Sequence, residues 1–261
     1  MEDSKIKESS FILKAECISQ TYLNEAGASL SLIQGTSFEV QEGEVVTILG
    51  AASSGKSALL RIIAGIEKPT AGTVTFAQYK DLRTDAAFIP TEPSSLPWLS
   101  VSDNIRFAVK GEKDPDQVNS RIKEVIEAVG LNGYENHIPA NKSAGFRFRI
   151  ALARALASEA KVILIDDPFR DLLPERKMNY YRLIREVSAK MDFSILWATA
   201  DITEALLISD RILLLAKEPG GTPGAIVKEF RLEKGRMPAV SLLASKEYAE
   251  IRHSIEQSLY S

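Results

Sequence analysis

Short, almost wholly apolar runs alternate along the chain with longer stretches in which apolar residues recur at helical spacing. Val45–Leu49, Val162–Asp166, Ser194–Thr199 and Arg211–Ala216 read as strands, several of them buried on both faces as in a parallel sheet. Phe11–Ala15, Ser37–Val40, Thr73–Phe76 and Ala86–Ile89 are further strand candidates, and Ala225–Leu232 reads as a last strand. Helical patterning predicts Lys56–Ala64, Val101–Val109, Asp116–Val129, Gly145–Ser158, Glu175–Lys190, Ile202–Ser209 and a terminal helix over Lys246–Leu259. Asp114 and Pro115 supply a cap and a first-turn proline for the third of these, and Gly130 a stop. Strands alternating with helices imply an α/β fold. The order is uneven, however. Strands dominate up to residue 90, residues 101–158 read as nearly all helical with no strand between, and the alternation returns from residue 162. A helical insertion in an α/β core is the simplest arrangement. Pro219–Gly224 reads as a turn, and Gly235 and Pro238 mark a break before the terminal helix.

Composition narrows the chemistry. A length of 261 residues fits one large domain or two small ones at about 150 residues each. The net charge of −3 argues against a broad nucleic-acid surface. One cysteine, Cys17, excludes a disulfide framework, and two histidines, His137 and His253, leave little for a zinc hydrolase. Cys17 itself reads as a small buried apolar residue. The opening MEDSKIKESS mixes acids with lysines and is not a signal peptide, and the longest apolar runs, such as Ile212–Ala216, fall far short of the ~18 residues that span a bilayer. A soluble protein of a reducing cytoplasm is expected.

One motif stands out. Gly50-Ala51-Ala52-Ser53-Ser54-Gly55-Lys56-Ser57 fits G-x-x-x-x-G-K-[ST], follows a strand and opens a helix. Backbone N–H groups of such a loop form a concave anion nest, and the helix N-terminus adds partial positive charge. Lys56 can reach the β- and γ-phosphates of a nucleotide, and Ser57 can ligate Mg²⁺. The alternative is a chance turn of small residues, which the strand–loop–helix context opposes. Val162–Asp166 then delivers Asp166 to the C-terminal end of an apolar strand, where α/β sheets place ligands and a carboxylate can hold the ion.

With these motifs the sequence resembles the ATP-binding subunits of ABC transporters over nearly its whole length. Ser143-Ala144-Gly145-Phe146 and the helix that follows look like that family's signature segment. Leu96-Pro97-Trp98-Leu99 with Val101 and Asp103-Asn104, and a tail with a basic turn near Arg236 and a helix carrying Tyr248, look like its nitrate/sulfonate/taurine importer branch. The resemblance implies an α/β P-loop NTPase fold with a RecA-like core, an antiparallel β subdomain and a helical subdomain over about residues 95–158. It implies a nucleotide-binding domain over 1–236 and a short helical extension over 237–261. It also implies Mg²⁺ and ATP as cofactors, contacts to nucleotide from the Gly50–Ser57 loop and Ala58, Tyr22 stacked on adenine, and Ser143 and Gly145 reaching a γ-phosphate across a dimer. The implied partners are membrane-spanning transporter subunits and a second ATP-binding subunit, with the chain peripheral on the cytoplasmic face of the inner or plasma membrane.

Against that pattern several positions are altered. The family's glutamate after the strand aspartate, which acts on the attacking water, is Asp167, a weakened candidate base. Its switch histidine is Ala200, which has no side-chain donor. Its Mg²⁺-sensing glutamine aligns with Thr91, and its interface aspartate with Leu173. Ser53 stands where glycine is usual, Ala58 replaces a hydroxyl residue, and Ala144 replaces a glycine in the signature. The groups that bind are kept and those that act on the γ-phosphate are changed, so nucleotide binding can outlive hydrolysis. The expected function is a degenerate ATP-binding subunit of an importer of a small anion or sulfonate-like solute, paired with a consensus ATPase. A fully active homodimeric importer ATPase and a nucleotide-gated regulatory or scaffold protein are the alternatives. Leu96-Pro97-Trp98 bears on the choice: in the resemblance it lies beside the groove for a membrane subunit's coupling helix, and otherwise it is a proline turn over a buried tryptophan. Arg147, Arg149 and Arg154 read as surface and interface residues, and Tyr180 and Tyr181 as helix packing.

Overall fold

The computed structural model describes residues 11–23, 27–77, 86–92, 94–111, 114–170, 172–191, 193–216, 223–232 and 245–260. The breaks expected at Gly235 and Pro238, the basic turn at Arg236 and the first four residues of the turn expected at Pro219–Gly224 lie outside them. The strands are β1 Phe11–Leu23, β2 Ser29–Gln41, β3 Val45–Leu49, β4 Ala71–Phe76, β5 Ala86–Ile89, β6 Val162–Asp166, β7 Ser194–Thr199, β8 Arg211–Ala216 and β9 Ala225–Arg231. The helices are α1 Lys56–Ile63, α2 Val101–Arg106, α3 Pro115–Ala128, α4 Ala144–Ala157, α5 Pro174–Lys190, α6 Ile202–Ile208 and α7 Lys246–Tyr260.

Two sheets form. A six-stranded sheet has the order β5-β6-β7-β3-β8-β9, parallel except for β9, and a three-stranded antiparallel sheet has the order β2-β1-β4. The wholly apolar strands are explained by burial on both faces. Val162 and Leu164 of β6, with Leu196 and Ala198 of β7, pack against Leu59, Leu60 and Ile63 of α1 and against the small sheet. Their alternates Ile163, Ile165, Ile195 and Trp197 face the other way, onto Phe148 and Leu152 of α4, Tyr181 and Ile184 of α5, and the helices between β5 and β6. The helical stretch read at 101–158 is thus one layer, built from α2, α3 and α4. Asp114 caps α3 by accepting from Asp116 N–H, with Pro115 in the first turn. The terminal helix α7 sets Tyr248 and Ile255 against α6, β8 and β9.

The small sheet departs most from the sequence reading. β1 runs on to Leu23 and β2 starts at Ser29, well beyond Phe11–Ala15 and Ser37–Val40. Register shifts at Ala15/Ile18 and Ile18/Gln20 break the two-residue alternation that marks a strand. Cys17 sits at this bulge with φ of +52°. The burial expected for it is therefore overturned: the thiol is exposed, and the bulged backbone turns it out of the ladder.

Candidate functional site

Topology assembles the site. β6, β7 and β3 are parallel neighbours, so their C-terminal ends lie side by side. Pairing of Leu49 with Thr199 and of Asp166 with Ala198 brings the Gly50 loop, the Asp166–Asp167 pair and the Thr199–Asp201 turn around one cleft. A cavity of about 800 Å³ opens there, walled by Ala52–Ala58, Asp166, Asp167, Arg170, Lys177 and Thr199–Asp201. The parallel sheet thus places its cleft at the strand ends, where such sheets take ligands.

The loop between β3 and α1 is held in one shape. A Cβ at Gly50 would sit 2.3 Å from the Leu215 carbonyl oxygen, and Gly55 has φ of +106°, so neither position accepts a side chain without distortion. Ser53 takes φ of +62°, a left-handed conformation that glycine adopts more easily. Lys56 is buried, and its Nζ donates at 2.8 Å to both the Gly50 and Ala51 carbonyls. Burial disfavours its charged form, the nearby Asp167 and Asp166 carboxylates oppose that, and the Arg170 charge adds to it. Two steps along, the Ser57 hydroxyl donates to Asp166 Oδ1 at 2.9 Å. Two hard oxygen donors in contact at the mouth of an anion nest suit a small divalent cation bound with a polyphosphate.

Asp167 follows with φ of +42°, its N–H donating to the Ala198 carbonyl at 3.0 Å. Burial raises its carboxyl above the usual carboxylate range, and Arg170, whose Nε donates to Asp167 Oδ2 at 3.1 Å, opposes the shift. The loop is pinned by Phe169, fully buried and stacked on Tyr180 with centroids 4.8 Å apart. Ala200 lies exposed on the cavity wall, facing the loop with a methyl group. Behind it Asp201 caps α6 and pairs with Lys177 at 3.5 Å, while Thr199 Oγ1 donates to the buried Glu204 at 2.5 Å.

A sequence model described as "ABC transporter" matches residues 33–170. The aliphatic sulfonates import ATP-binding protein SsuB 1 of Pseudomonas syringae pv. syringae strain B728a is 35% identical over 76% of this chain and 79% of that protein. The chain belongs to the ABC transporter family. The sulfate/thiosulfate import ATP-binding protein CysA of Mesorhizobium japonicum is 34% identical over 71% of this chain and 56% of its own length. Among solved structures, the dimeric ATP-binding cassette MJ0796, captured after hydrolysis with ADP and Pi, superposes with a TM-score of 0.70 at 26% identity. It covers 85% of this chain and 99% of the other.

The ABC fold accounts for which residues converge and which stay apart. Gly50, Ala51 and the cavity-lining residues Ala52, Ser53, Ser54, Gly55, Lys56, Ser57 and Ala58 meet Asp166 and Asp167. Four others lie away from this wall. Thr91 is half-buried beyond the end of β5 and does not line the cavity. Tyr22, at the end of β1, donates through its hydroxyl to Glu67 Oε2 at 2.7 Å, and Arg61 Nε closes the same carboxylate at 2.6 Å. Ser143 is exposed and caps α4, accepting from Phe146 N–H at 3.3 Å. Gly145 is buried under Tyr180, whose hydroxyl lies 1.6 Å from where a Cβ would stand. Any side chain at 145 would therefore displace Tyr180 or the N-terminal turn of α4. Arg149 and Arg154 are half-buried and donate to the Val129 and Ser94 carbonyls, tying α4 to its neighbours. Trp98 is 70% exposed, so the buried-tryptophan alternative is overturned.

Arg170, Lys177 and the Asp201–Glu204 cluster were not singled out from the sequence. The signal available was weak: a basic residue three positions after a candidate base, and another one turn into the next helix. Glu204 carries a consequence for stability. Burial pushes its carboxyl up from 4.5 to about 7, with the Thr199 hydroxyl and Lys177 opposing. The folded state then holds a proton that the unfolded chain releases near 4.5, so stability falls as pH rises through that window and levels off above about 7. The size is on the order of 3 kcal/mol, and Asp167, shifted in the same direction, adds to it. Glu204→Gln is expected to flatten most of this slope in denaturant unfolding at pH 5 and pH 8; a slope equal to that of the parent protein counts against Glu204 as its source.

Proposed function

We propose that the chain is the ATP-binding subunit of an ABC importer for a small anion, of the sulfonate or sulfate type named for its relatives. It binds Mg-ATP and, by itself, hydrolyses it slowly or not at all. Residues 1–236 act as the nucleotide-binding domain, with residues 237–261 a helical extension. One observation carries the reading: a complete phosphate loop and cation pair share a cavity with Ala200 and a shortened acid, Asp167. In the bound state Lys56 leaves the Gly50 and Ala51 carbonyls for the β- and γ-phosphates, and Ser57 and Asp166 hold the ion. Mg²⁺ neutralises phosphate charge there. Tyr22 packs on the adenine. Thr91, with its hydroxyl, is the candidate for the position that senses the ion. In a heterodimer Ser143 and Gly145 of this chain complete the partner's site, which retains the full catalytic set.

The surface that meets membrane-spanning subunits, on the cytoplasmic face, would include Trp98, exposed beside α2. No helix among the described residues is long and apolar enough to cross a membrane, so attachment runs through those subunits. The test is purification of the assembled complex from detergent extracts with a tag on this chain. A second, different ATP-binding subunit and membrane-spanning partners are expected. A complex with this chain as its sole ATPase, turning over ATP, overturns the pairing; absence of any membrane protein overturns the transport reading in favour of a regulatory or scaffold role.

A further inference from the structure

Arg170 is a cation on the cavity wall that the reading above leaves without a task. Its side chain is 64% exposed although its backbone is fixed, because the preceding Phe169 is buried among Phe148, Tyr180 and Trp197. The guanidinium thus stands on a rigid root with a free end. It contacts Asp167 through Nε alone, at 3.1 Å. Solvent screens the Arg170 half of this pair, 64% exposed, while Asp167 is only 10% exposed. Arg170 lines the same cavity as Ala200, whose methyl group offers no hydrogen-bond donor. Arg170 and Lys56 both line this cavity. The other basic wall residue, Lys177, is buried and held by Asp201.

We propose that Arg170 is a second cationic phosphate ligand of this site, resting on Asp167 when the site is empty and moving to the terminal phosphate of a nucleoside triphosphate. This rests on the nucleotide reading above and adds the group that distinguishes triphosphate from diphosphate. A planar fork suits two phosphate oxygens at once, and such charge-assisted contacts are stronger than neutral ones. The move also frees Asp167 at the moment when a triphosphate is present, so one side chain links recognition of the terminal phosphate to release of the candidate base.

The test is calorimetric titration of the full chain with MgATP and with MgADP. Arg170→Ala is expected to weaken MgATP binding about ten-fold and MgADP binding less than about two-fold, with an unchanged unfolding temperature. Unchanged MgATP affinity, or equal losses for the two nucleotides, overturns the assignment. A second variant separates exchange from simple attraction. Asp167→Asn frees the guanidinium, so it is expected to tighten MgATP binding more in the parent than in the Arg170→Ala background; equal tightening in both overturns the exchange. A parent chain that binds neither nucleotide overturns the nucleotide reading itself, whereas a parent that binds both with Arg170→Ala unchanged overturns this inference alone.

Discussion

Lys56→Ala is expected to weaken Mg-ATP binding about a hundred-fold or more, with the fold intact. Each charge-assisted hydrogen bond to phosphate contributes about 1.5–3 kcal/mol, and Lys56 is the group positioned to make two of them. No nearby residue substitutes for it. Lys177 is held by Asp201, and Arg170 is rooted outside the loop and rests on Asp167. The fold tolerates the loss because Lys56 is a desolvated cation whose charge burial already disfavours. Removing it relieves that cost and frees the Ala51 carbonyl of an exposed residue within reach of water, while the carbonyl of buried Gly50 loses its partner. The two effects oppose each other, so the loss in unfolding free energy is expected to stay below about 2 kcal/mol. Fluorescent-nucleotide titration beside thermal unfolding checks both halves. Parent-like affinity in the variant would show that the loop is not the phosphate site.

The contrast between Lys56 and Lys177 also shows what a linear sequence carries. β3, β6, β7 and β8 were legible to the residue because burial on two faces leaves an uninterrupted apolar run with polar or small residues at each end, and the half-buried β5 was legible as a short apolar run. β1 and β2 were legible only in part, since register shifts on either side of Ile18 put the alternation out of phase. The phosphate loop is contiguous, so its chemistry could be read directly from Gly50 to Ser57. The rest of the cavity wall is not contiguous. Lys177 meets Asp201 because α5 and α6 pack beside each other at the ends of adjacent strands, and nothing within either helix announces the other. Arg170 was hidden differently: a lone arginine in a loop has no meaning until Phe169 is seen to fix its root. Gly145 under Tyr180 is a third case, a contact between α4 and α5 that a signature-like string of small residues does not reveal.

The joint variant Asp167→Glu, Ala200→His is expected to raise single-turnover hydrolysis of Mg-ATP by about a hundred-fold over the parent. The binding half of the site is assembled: Ser57 meets Asp166 at 2.9 Å and Lys56 lies on the loop. On the function proposed above, what is short is the group that reaches the attacking water and the one that donates to the γ-phosphate. Asp167 occupies a fixed backbone position, with φ of +42° and its N–H on the Ala198 carbonyl. Added length therefore carries the carboxylate forward rather than being absorbed by the loop. A displacement of about 1 Å at such a group is worth roughly a hundred-fold in rate. Ala200 is exposed on the cavity wall, so an imidazole there has room without repacking β7. Groups that act on one transition state are not additive, so each single substitution is expected to recover much less than the pair. Ground-state affinity for Mg-ATP is expected to change far less than the rate, since Asp167→Glu keeps a carboxylate for Arg170 and neither position belongs to the phosphate loop. Phosphate release after mixing with excess protein measures the step, and Lys56→Ala in the same background must abolish the gain. If the parent already hydrolyses as fast as the joint variant, the shortened acid and missing donor are tolerated, and the chain is an active ATPase in its own right.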